Sequence, residues 1–235
     1  MLSRYNGKMK AFTLSYDDGV TQDRQLLRIL EKYGLRCTFN INSALFAEAH
    51  AFYDEKKNKT FPHVRLRSSE IAGVYAGHEV AVHTCTHPVL KDLTDDEILR
   101  EVEQDRLTLS ELVGYDVVGM AYPMGTHAIT PHVADVIRAG TPIRYARTTT
   151  STHAFDLPND PLWLNPTVHH LETEKLFELA ERFLALEPET PQLFYVWGHA
   201  YEFERDDNWD MFERFCRMIG GRDDIFYGTN REVLL

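Results

Sequence analysis

The sequence lacks several features that mark special classes of protein. Its 235 residues include three cysteines, Cys37, Cys85 and Cys216, and this odd number at wide spacing excludes a disulfide scaffold. No run of about 18 consecutive apolar residues occurs, so a membrane span is not expected. No apolar export signal precedes the first acidic pair. We therefore expect a cytoplasmic protein without membrane attachment.

The sequence also has fewer basic than acidic residues. Lys and Arg total 25 against 36 Asp and Glu, which gives a net charge of -11, so a basic surface for nucleic acid is not expected. The remaining composition, with 43% hydrophobic and 26% charged residues, is that of a globular protein with a sizeable core. Repeats and flexible linkers are absent from the sequence, so we expect a single domain over residues 1–235. The oligomeric state is not indicated.

Apolar runs that predict strands alternate with segments of helical periodicity. Thr94 and Glu97 form a capping-box pattern that opens the longest predicted helix, which ends near Gly114. Such alternation indicates parallel strands joined by helical crossovers, in an open doubly wound sheet or a closed barrel. The predicted strands are residues 11–16, 37–41, 79–82, 117–120, 145–148 and 192–197. The predicted helices are residues 26–33, 68–75, 93–114, 131–139 and 172–186. Residues 48–67 and 149–170 show no periodicity and are predicted to be loops that shape a site.

Two adjacent carboxylates, Asp17 and Asp18, follow the first predicted strand. Neighbouring residues of a strand point to opposite faces, so both can serve one site only where the chain turns, and Gly19 favours such a turn. One carboxylate can then be held ionised by a cation while the other takes a proton from water. The alternative is a solvated Asp-Asp-Gly turn.

A pair of histidines, His83 and His87, follows the third predicted strand. Imidazoles four residues apart can bind one metal ion if the intervening residues form a helical turn. The alternative is two partly exposed loop histidines. Because the carboxyl ends of parallel strands meet at one edge of a sheet, we expect this pair to lie near Asp18.

Two further motifs end predicted strands. In A-Y-P-M-G, residues 121–125, Pro and Gly predict an irregular turn that can direct a backbone N–H toward a developing negative charge. In W-G-H, residues 197–199, a histidine follows the last predicted strand. Cys85 lies between threonines and is predicted to be a small buried filler.

The motifs S-Y-D-D-G, H-T-C-T-H, A-Y-P-M-G and W-G-H, in this order, resemble those of the NodB-like polysaccharide deacetylases, the family 4 carbohydrate esterases. The resemblance spans Asp17 to His199 and implies a distorted, incomplete (β/α) barrel with parallel strands. It also implies that Asp17 is the catalytic base and His199 the general acid. The implied ligands of a divalent ion are Asp18, His83 and His87.

The sequence departs from the family pattern at several positions. Ala121 stands where the family has an arginine that braces the base, and Arg147 is either a displaced brace or an ordinary surface arginine. Met124 replaces an aromatic residue, although backbone N–H groups near Tyr122 and Met124 can still face an oxyanion. Trp197 replaces a leucine of the acetyl pocket. We find no counterpart of the family's fourth-motif Asp and Trp.

Three other side chains are weaker candidates for the substrate cleft. They are Trp163, His169 and His170, and for each of them the alternative is packing within a loop. Packing within a loop is the favoured interpretation for each of them.

The resemblance predicts a metal-dependent hydrolase of a non-peptide carbon–nitrogen bond. Its expected reaction is N-deacetylation of an acetylated amino sugar or an oligo- or polysaccharide. Zinc is the expected ion, with cobalt, nickel or manganese as alternatives. An amide or ureide hydrolase of the same superfamily, or an inactive carbohydrate-binding relative, remains open, but the presence of Asp17 and His199 argues against the inactive relative.

Overall fold

The computed structural model describes residues 4–235, and its centre is a curled sheet of parallel strands. The strands of this sheet and of one added hairpin are β1 (Lys10–Asp17), β2 (Cys37–Ile41), β3 (Ala49–Asp54), β4 (Lys59–Val64), β5 (Glu79–Val82), β6 (Gly119–Ala121), β7 (Tyr145–Arg147), β8 (Val168–His169), β9 (Gln192–Gly198) and β10 (Ile225–Tyr227). The α-helices are α1 (Asp23–Lys32), α2 (Ser68–Val74), α3 (Asp95–Val113), α4 (Pro131–Gly140), α5 (Thr173–Ala185), α6 (Ala200–Asp206), α7 (Trp209–Ile219) and α8 (Asn230–Leu234).

The strand order is that of a barrel that does not close regularly. Neighbours follow the order β7-β6-β5-β2-β1-β9-β8, β10 pairs with the first residues of β1, and every pairing within this sheet is parallel. Between β7 and β8 the described chain has no ladder, and an isolated bridge from Arg147 to Leu164 joins β7 to the segment that leads into β8. The predicted distorted, incomplete (β/α) barrel is therefore confirmed.

Alternate residues of strand β1 face the surrounding helices and the interior of the barrel. All eight of its residues are buried, as expected for a strand covered on both faces. Phe12 and Tyr16 join the hydrophobic core beneath the helices, whereas Thr13 and Ser15, on the alternate positions, make hydrogen bonds inside the barrel. The interior line of β1 ends at Asp17, at the carboxyl edge of the sheet.

The longest helix, α3, begins and ends as the sequence predicts. Thr94 Oγ1 accepts a hydrogen bond from the Glu97 N–H, and the Glu97 carboxylate accepts one from the Thr94 N–H at 2.9 Å. Gly114 follows the helix with a φ of 75°, a conformation that glycine adopts without steric cost. No helix within residues 4–235 is long and apolar enough to cross a membrane.

The last helix, α8, closes the amino-terminal end of the barrel. Asn230 Oδ1 accepts from Thr13 Oγ1 at 2.9 Å, and Asn230 Nδ2 donates to the Tyr195 hydroxyl at 2.6 Å. The backbone N–H of Asn230 donates to Thr38 Oγ1 at 2.8 Å. These buried bonds tie the end of the chain to three barrel strands, so the barrel interior at this end is polar and occupied by hydrogen-bonded side chains.

The prediction of a loop over residues 48–67 is wrong, because this segment contains an antiparallel hairpin of β3 and β4. Five of the six residues of β3 are exposed, so the sequence shows no alternation of buried and exposed positions there. Most of residues 149–170 is irregular, as predicted, but the segment ends in the short strand β8.

Candidate active site

The sequence motifs meet at the carboxyl edge of the sheet. β1 ends at Asp17, β5 ends just before His83, and β9 ends just before His199. Parallel strands bring these three ends together, although they are far apart in the sequence. A cavity of about 380 Å³ opens there. Its lining residues are Asp17, His83, His87, Tyr122, Met124, Gly125, His127, Thr149, Trp197 and His199.

The backbone around this cavity is strained. Asp18, Thr84, His87 and Met124 have φ values of 80°, 66°, 59° and 61°, in the left-handed region that non-glycine residues rarely adopt. His83 and His87 approach each other through this irregular loop and not through a helical turn, so the predicted local geometry is wrong. Their ring centroids are nevertheless 4.8 Å apart.

Asp17 is held by a buried arginine. Arg147 is fully buried, so it is not a surface residue, and its Nη2 donates to both Asp17 oxygens at 2.6 and 2.5 Å. Asn40 Nδ2 donates to Asp17 Oδ1 at 2.8 Å. Burial alone would raise the pKa of Asp17, but the Arg147 charge and hydrogen bond, together with the charges of His83 and His199, outweigh it and lower the pKa below its ordinary value. Asp17 is therefore ionised near neutral pH.

Asp18 contacts two side chains of the hairpin region. Arg65 Nη2 lies 3.0 Å from Asp18 Oδ1, and Arg65 Nη1 donates to the Asp18 carbonyl oxygen at 2.7 Å. His63 Nε2 lies 3.2 Å from Asp18 Oδ2. Burial opposes ionisation, but these hydrogen bonds and charges hold the pKa of Asp18 well below its usual range. The contacts also hold Asp18 in its left-handed conformation.

Asp18, His83 and His87 fit a divalent cation. One ligand atom from each lies within 4.8 Å of the other two. His83 Nδ1 is 2.9 Å from the Ala121 carbonyl oxygen and donates to it, which leaves Nε2 as a free ligand atom. Burial lowers the pKa of His83 to about 4 and also lowers the pKa of His87, so both rings are neutral, as metal ligands must be. One carboxylate oxygen and two imidazole nitrogens are a ligand set typical of zinc.

The loop that carries His83 is held in place by hydrogen bonds to two buried side chains, Asp105 and Asn42. Asp105 on α3 accepts hydrogen bonds from the backbone N–H groups of Ser43 at 2.6 Å and His83 at 3.0 Å. Asn42 Nδ2 donates to the carbonyl oxygens of His83 and Thr84. Burial raises the pKa of Asp105 to about 7. These contacts fix the direction of the His83 ring before any ligand binds.

His199 has a carboxylate partner three residues later. Glu202 Oε2 lies 3.3 Å from His199 Nδ1 and accepts from the His199 backbone N–H at 3.1 Å. His199 Nε2 lies 3.9 Å from Asp17 Oδ2. Burial alone would lower the pKa of His199, but the charge and hydrogen bond of Glu202, together with the charges of Asp17 and Asp18, outweigh it and raise the pKa to about 9. His199 is therefore protonated near neutral pH.

His169 and His170 complete a cluster around Glu202 and do not line the cavity. Their Nε2 atoms each lie 3.3 Å from Glu202 Oε2. His170 Nδ1 faces the Tyr16 hydroxyl at 3.0 Å. His169 Nδ1 accepts from the Leu171 N–H, so the proton of the neutral His169 ring is on Nε2. The three side chains are close enough to form a candidate metal site, but His169 donates to Glu202 through Nε2, and the buried His170 Nε2 makes no hydrogen bond.

The remaining predicted site residues form one wall of the cavity. Tyr122 is buried and its hydroxyl donates to the Leu162 carbonyl oxygen. The Arg147 guanidinium lies 4.4 Å from the ring centroid of Trp197. The Met124 N–H makes no hydrogen bond with any residue of the described chain, 4–235, so it can donate to a ligand. Trp163 lines a different groove, beside α4.

Sequence reasoning missed several residues of the site, among them Asn40, which donates to Asp17, and the cavity-lining His127 and Thr149. Glu202 carried a signal, because it stands three residues after His199 at the start of a helix, in a capping-box spacing. Asn42 directly follows a strand, where polar residues often face a site. His63, Arg65 and Asp105 had no usable signal, because only the folded chain brings them to Asp18 and His83.

The fold and site define a distorted (β/α) barrel whose carboxyl edge carries the candidate base Asp17, the candidate acid His199 and a candidate metal site of Asp18, His83 and His87. The sequence profile of the family described as polysaccharide deacetylase matches residues 4–139, which is more than half of the chain. The chain therefore belongs to the polysaccharide deacetylase family, as its motifs predict. A search of curated proteins finds no match.

Several solved structures share this fold. The Streptococcus pyogenes deacetylase PplD in complex with acetate is 20% identical, with a TM-score of 0.50 over 64% of this chain and 61% of its own. A family 4 carbohydrate esterase from Streptomyces lividans is 14% identical, with a TM-score of 0.56 over 94% and 93%. Puue allantoinase is 11% identical, with a TM-score of 0.67 over 95% and 88%. The chain thus spans less than two thirds of the first of these proteins, and the likeness concerns the fold.

Proposed function

We propose that this chain hydrolyses a non-peptide carbon–nitrogen bond and that its substrate is an N-acetylated amino sugar, free or within a glycan. The observation that carries the proposal is the pairing of Asp17 and His199, whose Oδ2 and Nε2 atoms lie 3.9 Å apart beside one cavity. The first is ionised and the second protonated, the states that a general base and a general acid need. Membership of the family supports the same reaction.

The residues of the site suit each step of amide hydrolysis. A divalent ion held by Asp18, His83 and His87 would polarise the amide carbonyl and lower the pKa of the attacking water. Asp17 accepts the proton that this water loses on attack, and Arg147 keeps the carboxylate in position. The Met124 N–H donates to the negative charge that develops on the amide oxygen.

His199 completes the reaction at the leaving group. Its Nε2 proton passes to the amine nitrogen as the carbon–nitrogen bond breaks, because an amine leaves readily only when protonated. Glu202 holds the opposite nitrogen, Nδ1, and so keeps Nε2 directed toward the cavity. The products are acetate and a free amine.

An amide or ureide hydrolase would use the same base, acid and ion, so the test must separate it from a deacetylase. The purified protein should be analysed for metal and incubated with acetylated amino sugars, acetylated glycans and linear and cyclic ureides. We expect acetate release that a chelator abolishes and zinc restores. Turnover of ureides without acetate release from any sugar would contradict the proposed substrate. No turnover of any compound by the metal-loaded protein would contradict the hydrolase assignment.

A further inference from the structure

Two side chains of the hairpin region contact Asp18 without taking part in the proposed reaction. His63 lies in β4 and Arg65 directly follows this strand, and both are buried. Their contacts are with the carboxylate among the three candidate metal ligands. The sequence motifs that indicate the family include neither residue, so neither is explained by the motifs.

The hairpin is attached to the turn that carries the two aspartates. The Thr21 N–H donates to the Val64 carbonyl oxygen at 2.8 Å, and the Leu66 N–H donates to the Gly19 carbonyl oxygen at 2.8 Å. These two bonds lie on either side of the segment that ends β4. That segment therefore keeps a fixed position relative to Asp18.

The Arg65 guanidinium joins two of the loops that carry candidate ligands. Its Nη2 donates to Asp18 Oδ1 at 3.0 Å, and its Nη1 donates to the Asp18 carbonyl oxygen at 2.7 Å. Nη1 also donates to Asn42 Oδ1 at 2.6 Å. Asn42 Nδ2 in turn donates to the His83 carbonyl oxygen at 2.5 Å. One buried side chain therefore helps to set the position of Asp18 relative to His83.

His63 holds the other carboxylate oxygen of Asp18. Its Nε2 lies 3.2 Å from Asp18 Oδ2, and Nε2 carries the proton of this bond because an ionised carboxylate can only accept. The ring packs edge-on against Phe52 at 5.3 Å and Tyr201 at 5.0 Å, contacts that a phenylalanine could also make. His63 Nδ1 has no hydrogen-bond partner within residues 4–235. Within this part of the chain, only the bond to Asp18 requires an imidazole.

Asp18 needs this support because its backbone is strained. Its φ is 80°, in the left-handed region that costs free energy for a residue with a side chain. The bonds from Arg65 and His63 hold both carboxylate oxygens and the carbonyl oxygen of this residue. Without them the turn could relax, and ion binding would have to restore the direction of the carboxylate. Hydrogen bonds to a ligating carboxylate remove that cost in advance.

Geometry, and not charge, is what Arg65 contributes to ion binding. A guanidinium 3.0 Å from a ligand carboxylate repels a divalent ion, so its charge alone would weaken binding. Its planar fork makes three hydrogen bonds at once, and the single ammonium group of a lysine cannot reproduce this arrangement. Substitution by lysine therefore separates the two effects, because it keeps the charge and loses the fork.

We propose that Arg65 and His63 are positioning residues of the metal site, which hold Asp18 in the direction that a divalent ion requires and thereby set the affinity for that ion. The proposal rests on the proposed function, because that function assigns Asp18 as a metal ligand. The hairpin of β3 and β4 is thus part of the ion-binding machinery of this chain, although it supplies no ligand.

The test is a zinc titration of the metal-free protein in competition with a chromophoric chelator, without substrate. His63→Phe keeps the packing of the ring and removes the donor, and it should raise the Kd for zinc by about 10- to 100-fold, the usual effect of losing a hydrogen bond to a metal ligand. His63→Gln, whose amide nitrogen can take the position of Nε2, should recover most of the affinity. His50→Phe is the matched control, because His50 is an exposed ring of the same hairpin that contacts Glu48.

A second substitution tests the guanidinium. Arg65→Lys should also raise the Kd for zinc by about 10- to 100-fold, whereas Arg67→Lys, the same exchange at an exposed arginine two positions later, should leave it unchanged. Circular dichroism of the metal-free proteins shows whether each variant is folded. An unchanged Kd in His63→Phe or in folded Arg65→Lys would overturn the proposal, and so would equal losses in His63→Phe and His63→Gln.

These measurements separate the positioning role from the proposed function. If the variants lose zinc affinity but the unmodified, zinc-loaded protein releases no acetate from any acetylated sugar, the positioning role stands and the deacetylase reaction fails. If the unmodified protein releases acetate and the variants bind zinc as tightly as it does, the reaction stands and the positioning role is wrong. No zinc binding by the unmodified protein would refute both the metal site and the positioning role.

Discussion

Replacing Glu202 with glutamine should convert the proposed general acid into a group that loses its proton too early. Glu202 Oε2 lies 3.3 Å from His199 Nδ1, and this carboxylate is the main group that raises the pKa of His199 from 6.5 to about 9 against the effect of burial, with smaller contributions from Asp17 and Asp18. The difference between these two pKa values corresponds to about 3 kcal/mol in favour of the charged imidazole. The Glu202→Gln substitution would keep the side-chain shape and remove the charge, so the pKa of His199 should fall to about 6.5, because the charges of Asp17 and Asp18 still oppose the effect of burial.

The expected effect depends on pH in a specific direction. His199 acts in its protonated form, so activity is present below its pKa and is lost as the pH rises through it. At about pH 8 the protonated fraction should fall from about 90% to about 3%, a loss of at least about 30-fold in kcat/KM. At about pH 6 both proteins should keep most of the protonated form, and the loss should be less than about twofold.

The assay is acetate release from an N-acetylated sugar between about pH 5 and about pH 10, with both proteins fully loaded with metal. The control is Glu204→Gln, which removes the same charge from the same helix at a carboxylate that contacts Gln22. An activated acetate ester, whose leaving group needs no proton, should show a much smaller loss in Glu202→Gln. If the alkaline limb of Glu202→Gln coincides with that of the unmodified protein, Glu202 does not set the pKa of the catalytic acid.

Other parts of the structure support three more predictions. His83→Ala should lower both bound metal and activity, by elemental analysis and acetate release, whereas His132→Ala, at an exposed ring, should change neither. Asp17→Asn should keep the ion and lose turnover, while Asp18→Asn should lose the ion, and the opposite pattern in the same metal analysis would reverse their roles. Asn230→Ala should reduce the free energy of unfolding by about 2 to 3 kcal/mol in urea titrations, because it leaves buried polar groups of the barrel interior unpaired. An unchanged urea concentration at the unfolding midpoint would contradict the structural role of α8.

Much of the fold could be predicted because its signals are local. The residues 11–17 alternate large apolar with small or polar side chains, and this pattern defines a strand whose faces meet the helices and the barrel interior. The capping box of Thr94 and Glu97 begins α3 where the sequence places it. Hairpin β3–β4 escaped prediction because its first strand is exposed and is held by contacts with a distant turn and with α6.

The sequence by itself also determined which side chains would gather at the carboxyl edge. Asp17, His83 and His199 each follow or end an apolar strand, and parallel pairing brings such ends together whatever the lengths of the connections. The motif order was sufficient to indicate the family, because it is a property of the chain alone.

Only the tertiary structure decided what surrounds these groups. Arg147 lies 130 positions from Asp17, yet its guanidinium is buried against that carboxylate and lowers its pKa. Arg65 reaches Asp18 from a hairpin that showed no pattern, and Glu202 sets the proton on His199. The strength of each interaction depends on distances of a few ångströms and on exclusion of water, and neither quantity is encoded in local periodicity.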